Sequence, residues 1–245
     1  MSITRHHHPD GTASLLPLVH RERVDWHDHP HDQLVYPSHG VLEVSTAAGT
    51  WVVPPHRAVW LPAGVAHAHQ AHGPTQLRTV NFAAARSAAG FDRPAVLAVP
   101  PLLREVVISL TGDDLPAAHR RNLERVALDQ LQRTDELPVH LPLPADDRLR
   151  AIAAAFAADP ADPRTLAEFG REVGASERTL SRLFRAQTAM SFPQWRAQVR
   201  LHHALVLLAA GTPVTATATA CGYAGPSAFI QAFRLAFGIT PGSVR

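Results

Sequence analysis

From Thr165 to Arg245 one pattern occurs twice, and a chain that carries it must build two short helix pairs. Thr165-x-x-Glu168 is a capping box, in which the hydroxyl and the carboxylate each satisfy a free N–H group at a helix start. Leu166, Phe169 and Val173 then share one helical face, and Gly174 ends the segment. Ser176 caps a second helix whose buried stripe is Leu180, Leu183 and Phe184. The copy lies 48 to 49 residues further on: Gly222 repeats Gly174, Phe229 repeats Leu180 and Phe233 repeats Phe184. There Gly225 serves as N-cap, Pro226 suits the first helical position, and Phe229, Phe233 and Phe237 make the inner stripe. Helix, glycine turn and capped second helix form the helix-turn-helix pattern.

Between the copies, Ser191-x-x-Gln194 is a second capping box that starts a helix running to about Ala210, where Gly211 stops it. Such a helix is about 28 Å long at 1.5 Å per residue. That is close to the ~34 Å between successive major-groove faces of B-DNA, so one chain can offer two reading helices. Charge agrees. After Glu177 there is no acid, whereas Arg178, Arg182, Arg185, Arg196, Arg200, Arg234 and Arg245 follow. Residues 1–144 instead hold twelve Arg and fourteen acids. Charge divided in this way fits phosphate contact, although a solvated basic face would show the same excess. Lysine is absent, so every basic side-chain contact is made by Arg or His. Opposite the apolar stripes lie Arg178, Ser181, Arg182 and Arg185 on the first reading helix, and Ser227, Gln231 and Arg234 on the second.

These residues carry a family resemblance. Leu166-Ala167, Gly174, Ser176, the run Thr179 to Arg185, Gly222-Tyr223, Phe229 to Phe233 and Gly238-Ile239-Thr240-Pro241 resemble the DNA-binding domain of the AraC/XylS family of bacterial transcription regulators. The resemblance covers the C-terminal third. It implies that Arg178, Ser181 and Arg182 face base edges and Arg185 a phosphate, with Ser176, Ser227, Gln231 and Arg234 completing the DNA-facing set. One departure is Thr215-Ala-Thr-Ala-Thr after Pro213, a run of lower helix propensity and smaller apolar volume. The second helix pair is expected to be the looser.

The N-terminal part reads differently. From Leu15 to Phe82 short apolar runs alternate with Pro and Gly, which argues a β-sandwich or barrel rather than βαβ units. Trp26, Tyr36, Trp51 and Trp60 are expected in its core. Twelve of the sixteen His fall within residues 1–72. Of these, His6-His7-His8 lies in a stretch, Met1 to Gly11, expected to be disordered. His27-x-His29-x-x-x-Gln33, then Gly40, and later Pro62-x-Gly64-x-x-His67, resemble the paired motifs of the cupin fold. That resemblance implies a divalent metal held by His27, His29, Gln33 and His67. On a strand His27 and His29 would point to one face. Gln33 stands where a Glu is usual, which weakens the fourth ligand; three imidazoles still suit Zn²⁺, Ni²⁺, Co²⁺ or Fe²⁺. A barrel lined by the same residues without metal is the other reading.

Past Phe82 an Ala- and Pro-rich crossing carries a strand near Val96–Val99. Two helices follow, Leu102 to Leu110 and Ala117 to Arg133. In the second, Leu123, Ala127 and Leu131 form a stripe that either packs on the chain's own barrel or, as the resemblance implies, pairs two subunits. Leu137 to Pro144 is a stiff Pro-rich linker, and Asp147 to Ala157 a lead helix. The expected class is α+β: a cupin-like sensor over 12–100, a helical dimerisation element over 101–136, a linker over 137–145 and a tandem helix-turn-helix domain over 146–245. The single Cys, Cys221, excludes an internal disulfide and fits a core position. No apolar run approaches eighteen residues and no charged-then-apolar leader is present, so a cytoplasmic location with no membrane contact is expected. The function so read is a regulator that binds double-stranded DNA as a homodimer, not an enzyme. Its response is to a small-molecule or metal effector, and overall likeness points to relatives that control an adjacent efflux-transporter gene. A metal-dependent cupin dioxygenase or isomerase with an appended DNA-binding domain, and an architectural DNA-binding protein with a vestigial barrel, are the alternatives.

Overall fold

A computed structural model describes residues 4–5, 13–82, 91–112, 115–132, 141–142 and 144–244, with the backbone alone for 4–5, 132 and 141–142. The His6-His7-His8 tract, most of the Pro-rich stretch, part of the crossing after Phe82, Asp113-Asp114 and Arg245 lie outside the described residues. The chain forms two units, Met1–Pro138 and Val139–Arg245.

The first unit is built on two long strands. Its strands are β1 (Thr4–Arg5), β2 (Ala13–Leu18), β3 (Arg23–His27), β4 (Asp32–Thr46), β5 (Gly49–Val53), β6 (Arg57–Leu61), β7 (His67–Phe82) and β8 (Ala95–Ala98). The short apolar runs Gln33–Tyr36 and Val41–Ser45 join into one continuous strand, β4, and Ala66–Gln70 and Thr75–Phe82 fall almost wholly in another, β7. These two pair antiparallel along their whole length, from Asp32↔Phe82 to Thr46↔His67. One half of the ribbon is flanked by β2 and by β6 with β8, the other half by β3 and by β5. Register shifts at Pro37/His39 and His39/Val41 break the ladder between the halves.

Gly40 lies at this break with φ +78, and a Cβ there would collide with the Pro74 carbonyl and sit 2.6 Å from Thr75 Oγ1. Both the positive φ and the close approach of β7 require glycine. The two half-sheets face one another: Val24, Val35, Leu42, Val44, Val53, Val59, Leu61 and Leu77 from both halves make one buried cluster. Alternate residues of the first half, Leu34, Tyr36, Trp60, Val80 and Phe82, turn outward onto a pair of helices.

Those helices are α1 (Pro101–Leu110) and α2 (Ala117–Gln132). Leu103, Val106, Val107 and Leu110 of α1 and Ala127 and Leu131 of α2 complete the outer cluster, with Leu123 packed against it. The Leu123/Ala127/Leu131 stripe is therefore buried within its own unit, where α2 packs chiefly on α1 and shares one core cluster with Trp60 and Phe82; it is not free to pair two subunits. The exposed side of α2 carries Arg121, Arg125, Val126 and Asp129. Trp26, expected in the core, is 60% exposed, whereas Tyr36, Trp51 and Trp60 are buried.

The second unit opens with β9 (Leu141–Pro142) and continues as α3 (Asp147–Ala158), α4 (Leu166–Glu172), α5 (Glu177–Thr188), α6 (Phe192–Ala209), α7 (Val214–Ala220) and α8 (Pro226–Phe237), closed by a 3₁₀ turn at Pro241–Val244. Both capping boxes form. Gly174 and Gly222 end α4 and α7 at φ +66 and +69. Phe156, Phe169, Phe184, Phe192 and Trp195 make the aromatic core of the first helix pair, with Trp195 edge-on to Phe156 at 5.7 Å. Phe229, Phe233 and Phe237 meet in turn in the second, the first two edge-on at 5.6 Å and the last two tilted at 4.6 Å. Thr217 of α7 is wholly buried and its hydroxyl has no partner, a cost to the second pair.

Two substitutions test this packing. Gly40→Ala should lower stability by about 3 kcal/mol in urea melts, combining a positive-φ penalty with a collision. Leu131→Glu should unfold the first unit, read as loss of its near-UV circular dichroism; a folded variant of altered subunit number would contradict the packing described.

A candidate nucleic-acid interface and an imidazole cluster

The arginines of the second unit divide by what they touch. Arg148 pairs with Asp146 at 2.8 Å, Arg150 with Asp147, and Arg164 with Asp162 and with Glu172 at 2.7 Å. Arg164 also lies over the Phe169 ring at 4.3 Å. Arg178, Arg182 and Arg185 of α5 enter no ion pair among the described residues, and all three are exposed. With Thr179 and Ser181 they line one open groove. Leu180 and Phe184 are fully buried on the opposite side, which fixes the face that α5 turns outward. Three forked cations are thus held along one exposed helix face without intramolecular acids to neutralise them, as phosphate and guanine contacts demand. Ser176 spends its hydroxyl on the cap, accepting from the Thr179 N–H at 3.1 Å.

On α8 the corresponding groove is lined by Ser227, Ile230, Gln231, Arg234 and Leu235. A single cation and an 82% exposed Leu235 make this the weaker electrostatic face.

Arg200, which the charge pattern alone counts among the DNA-facing cations, does something else. From the middle of α6 its Nε donates to the Pro160 carbonyl at 2.9 Å, Nη1 to Gly222 O at 3.3 Å, and Nη2 to Asp162 O at 3.3 Å and Ala161 O at 3.4 Å. Pro160 to Asp162 belong to the turn before the first helix pair and Gly222 to the turn inside the second. One guanidinium therefore ties both pairs to the helix between them. A Cβ at position 222 would lie 2.8 Å from Arg200 Nη2, so Gly222 serves this contact as well as its turn. Cys221 beside it is buried, with its thiol pushed up to about 11, and is a core residue.

In the first unit the histidines gather at one end of the sheets. β3 ends at His27, so His29 lies beyond the strand and the two do not share a pleated face. Their rings nevertheless stand 6.3 Å apart, and His67 lies 4.2 Å from His27 and 5.0 Å from His29. Each of the three directs Nδ1 at a backbone carbonyl: His27 at Asp25 O, 2.7 Å, His29 at His31 O, 2.7 Å, and His67 at Val65 O, 2.8 Å. A carbonyl only accepts, so Nδ1 carries the proton, and in the neutral tautomer of each ring the lone pair lies on Nε2. Nε2 of His29 and of His67 is buried without a hydrogen-bond partner. Burial pushes the His67 imidazole down to about 4, opposed by its bond to Val65 and reinforced by His27 and His29, so it is neutral near pH 7.

Gln33 is buried, and its amide donates to Asn81 Oδ1 at 2.9 Å. A residue missed in the sequence motifs, His69, joins the group: ligand nitrogens of His27, His67 and His69 all lie within 4.8 Å of one another. Its signal was His67-x-His69, the same two-residue spacing within a strand.

The sequence comparisons agree with this division. Residues 169–245 match the helix-turn-helix domain family and residues 19–192 the AraC-like ligand binding domain family. The second match runs past Pro138, so side-chain packing marks where the sheet unit ends. The HTH-type transcriptional regulator NimR of Escherichia coli K12 is 32% identical over 95% of this chain and 83% of its own length. The chain belongs to the AraC family of transcription regulators. The HTH-type transcriptional regulator RipA of Corynebacterium glutamicum is 41% identical over 44% of this chain, which spans about a third of RipA. Among solved structures, ToxT from Vibrio cholerae aligns over 94% of this chain and 96% of its own at 8% identity and a TM-score of 0.41. As an AraC-family member the chain is a DNA-binding regulator with a ligand-binding domain, not an enzyme. No helix of the described residues is long and apolar enough to cross a membrane.

On DNA, Arg182→Ala should cost about 1–3 kcal/mol and relax preference at one base pair in competition binding, whereas uniform weakening across sequences would make Arg182 a phosphate anchor. Arg200→Ala should lower the stability of the helical unit by about 2 kcal/mol in urea melts, as four carbonyl contacts are lost.

Proposed function

We propose that this AraC-family regulator is metal-responsive: a divalent ion held by the imidazole cluster sets how well the chain binds double-stranded operator DNA. The observation that carries the reading is the common tautomer of His27, His29 and His67, each pinned by a backbone carbonyl so that Nε2 is the ligand nitrogen. Metal-ligating histidines are oriented in this way, and a ligand would relieve the buried, unpartnered Nε2 atoms of His29 and His67. Neutral nitrogen donors suit Zn²⁺, Ni²⁺, Co²⁺ or Fe²⁺. Gln33 donates its amide N–H to Asn81 and keeps Oε1 buried without a partner among the described residues, but a neutral amide oxygen is a weaker donor than an imidazole nitrogen, so it is the weakest candidate of the set the motifs suggest. A small molecule on the same imidazoles is the other form of effector.

The regulator is proposed to act in the cytoplasm as a homodimer on paired half-sites. With the α2 stripe buried within its own unit, pairing through 117–133 falls to the exposed Arg121, Arg125, Val126 and Asp129. The first operators to test are the DNA upstream of its own gene and of a neighbouring transporter gene.

A ligand shifts DNA affinity only by its differential affinity for the two states, typically 5–150-fold. Fluorescence anisotropy on DNA selected from a random pool, comparing metal-stripped protein with protein loaded in turn with Zn²⁺, Ni²⁺, Co²⁺ and Fe²⁺, should show a change of at least about 5-fold for one ion. Equal affinities for stripped and stoichiometrically loaded protein would refute metal control.

A further inference from the structure

The cupin-like motifs name His27, His29, Gln33 and His67, yet the geometry gathers a different set. His67 and His69 are two residues apart on β7 and so share a face. Their partners across the ladder are Thr46 and Val44, both buried, so that face is the inner one. His27 stands directly opposite His67 on β3. The His69 ring lies 5.0 Å from that of His67 and 5.8 Å from that of His27. His29 is carried on the segment after β3, whose position is fixed by the Gly64 N–H donating to the His29 carbonyl at 2.9 Å. Gln33 donates its amide N–H to Asn81 and its Oε1 has no hydrogen-bond partner among the described residues, but that oxygen is a neutral amide donor, weaker than an imidazole nitrogen.

We infer that the metal shell is four imidazoles, His27, His29, His67 and His69, with His69 taking the place that the motif assigns to Gln33. This rests on the metal reading proposed above and fixes its ligand class. Ligand nitrogens in a tetrahedral site at Zn–N distances near 2.0–2.1 Å stand about 3.3 Å apart. The ligand nitrogens of His27, His67 and His69, which lie within 4.8 Å of one another, need to draw together by no more than about 1.5 Å to reach that spacing. A shell of neutral nitrogens with no carboxylate discriminates by ligand type. It favours Co²⁺, Ni²⁺, Cu²⁺ and Zn²⁺, whose affinity for imidazole is high, over Mg²⁺, Ca²⁺ and Mn²⁺, which take oxygen donors. Because the four ligands come from β3, the segment after it and β7, the ion ties that segment to the β3–β7 pair.

The test uses the full chain, stripped with chelator, then titrated calorimetrically with Zn²⁺, Ni²⁺ and Mn²⁺ and loaded with Cu²⁺ for electron paramagnetic resonance. Wild-type protein should bind one Zn²⁺ or Ni²⁺ and show no comparable Mn²⁺ binding, and its Cu²⁺ spectrum should carry superhyperfine splitting from imidazole nitrogens. His69→Gln should lower Zn²⁺ affinity at least about 100-fold, beyond the effect of losing an outer-shell contact, and remove one nitrogen from the splitting pattern. Gln33→Ala should change the affinity less than about 3-fold, with melting of each stripped variant confirming that it folds. Replacing His6, His7 and His8 together by Ala should leave the affinity unchanged.

If His27→Ala and His67→Ala abolish binding while His69→Gln does not and Gln33→Ala does, the motif set is right, this inference falls and the metal reading stands. If the wild type takes up none of these ions, or the triple His replacement removes the binding, both fall.

Discussion

Arg200 hydrogen-bonds to four backbone carbonyls, three before the first helix pair and one within the second, from a position halfway along the helix that joins them. Carbonyls at turns have no helical partner of their own, so a forked donor that reaches several satisfies groups that would otherwise need water. The contact converts two repeats, each with its own aromatic core, into one body. α6 has 18 residues and thus a length of about 27 Å, so the separation of the two pairs is set by a rigid rod. Reading two segments of one DNA face depends on that fixed separation more than on any single side chain of α5 or α8.

Around this brace the remaining cations divide according to neighbouring acids. Acids precede or sit in α3 and α4, at Asp146, Asp147, Asp162 and Glu172, and they neutralise Arg148, Arg150 and Arg164. None follows Glu177, so α5 keeps its charge. The imbalance along the sequence thus becomes an imbalance in space, with paired arginines supporting the fold and unpaired ones presented on α5. The first pair carries the stronger electrostatic face, while α7, with a buried unpartnered Thr217, and α8, with one outward cation, form the weaker half.

Much of the helical unit was legible in the sequence because its signals are local. Capping boxes at Thr165 and Ser191, glycines at helix ends and stripes at 3.6-residue spacing each act within a turn or two, and all form as expected. What was not legible depends on distant partners. Arg200 looks like any other basic residue until the carbonyls it meets, some forty residues away, are in place. The α2 stripe has the same spacing whether it packs within its own unit or on a second subunit, and only the core it shares with α1 decides. Strand alternation placed His27 and His29 on one face, but β3 ends between them. His67-x-His69 shows that two imidazoles share a face of β7, but that His27 joins them depends on cross-strand register, which pairs β7 with β3 and β4. Gly40 was visible as part of a motif, whereas its task, letting Pro74 and Thr75 approach where the ribbon breaks, was not.

The central claim is that one chain reads two segments of one DNA face at a separation fixed by α6 and Arg200. Hydroxyl-radical footprinting of the full chain on DNA selected from a random pool measures this directly. The account predicts two protected segments per bound chain on the same face, about one helical turn or 10–10.5 base pairs apart, with stronger protection over the segment that α5 occupies. A single protected segment per chain, or two segments whose spacing varies from site to site, would contradict it.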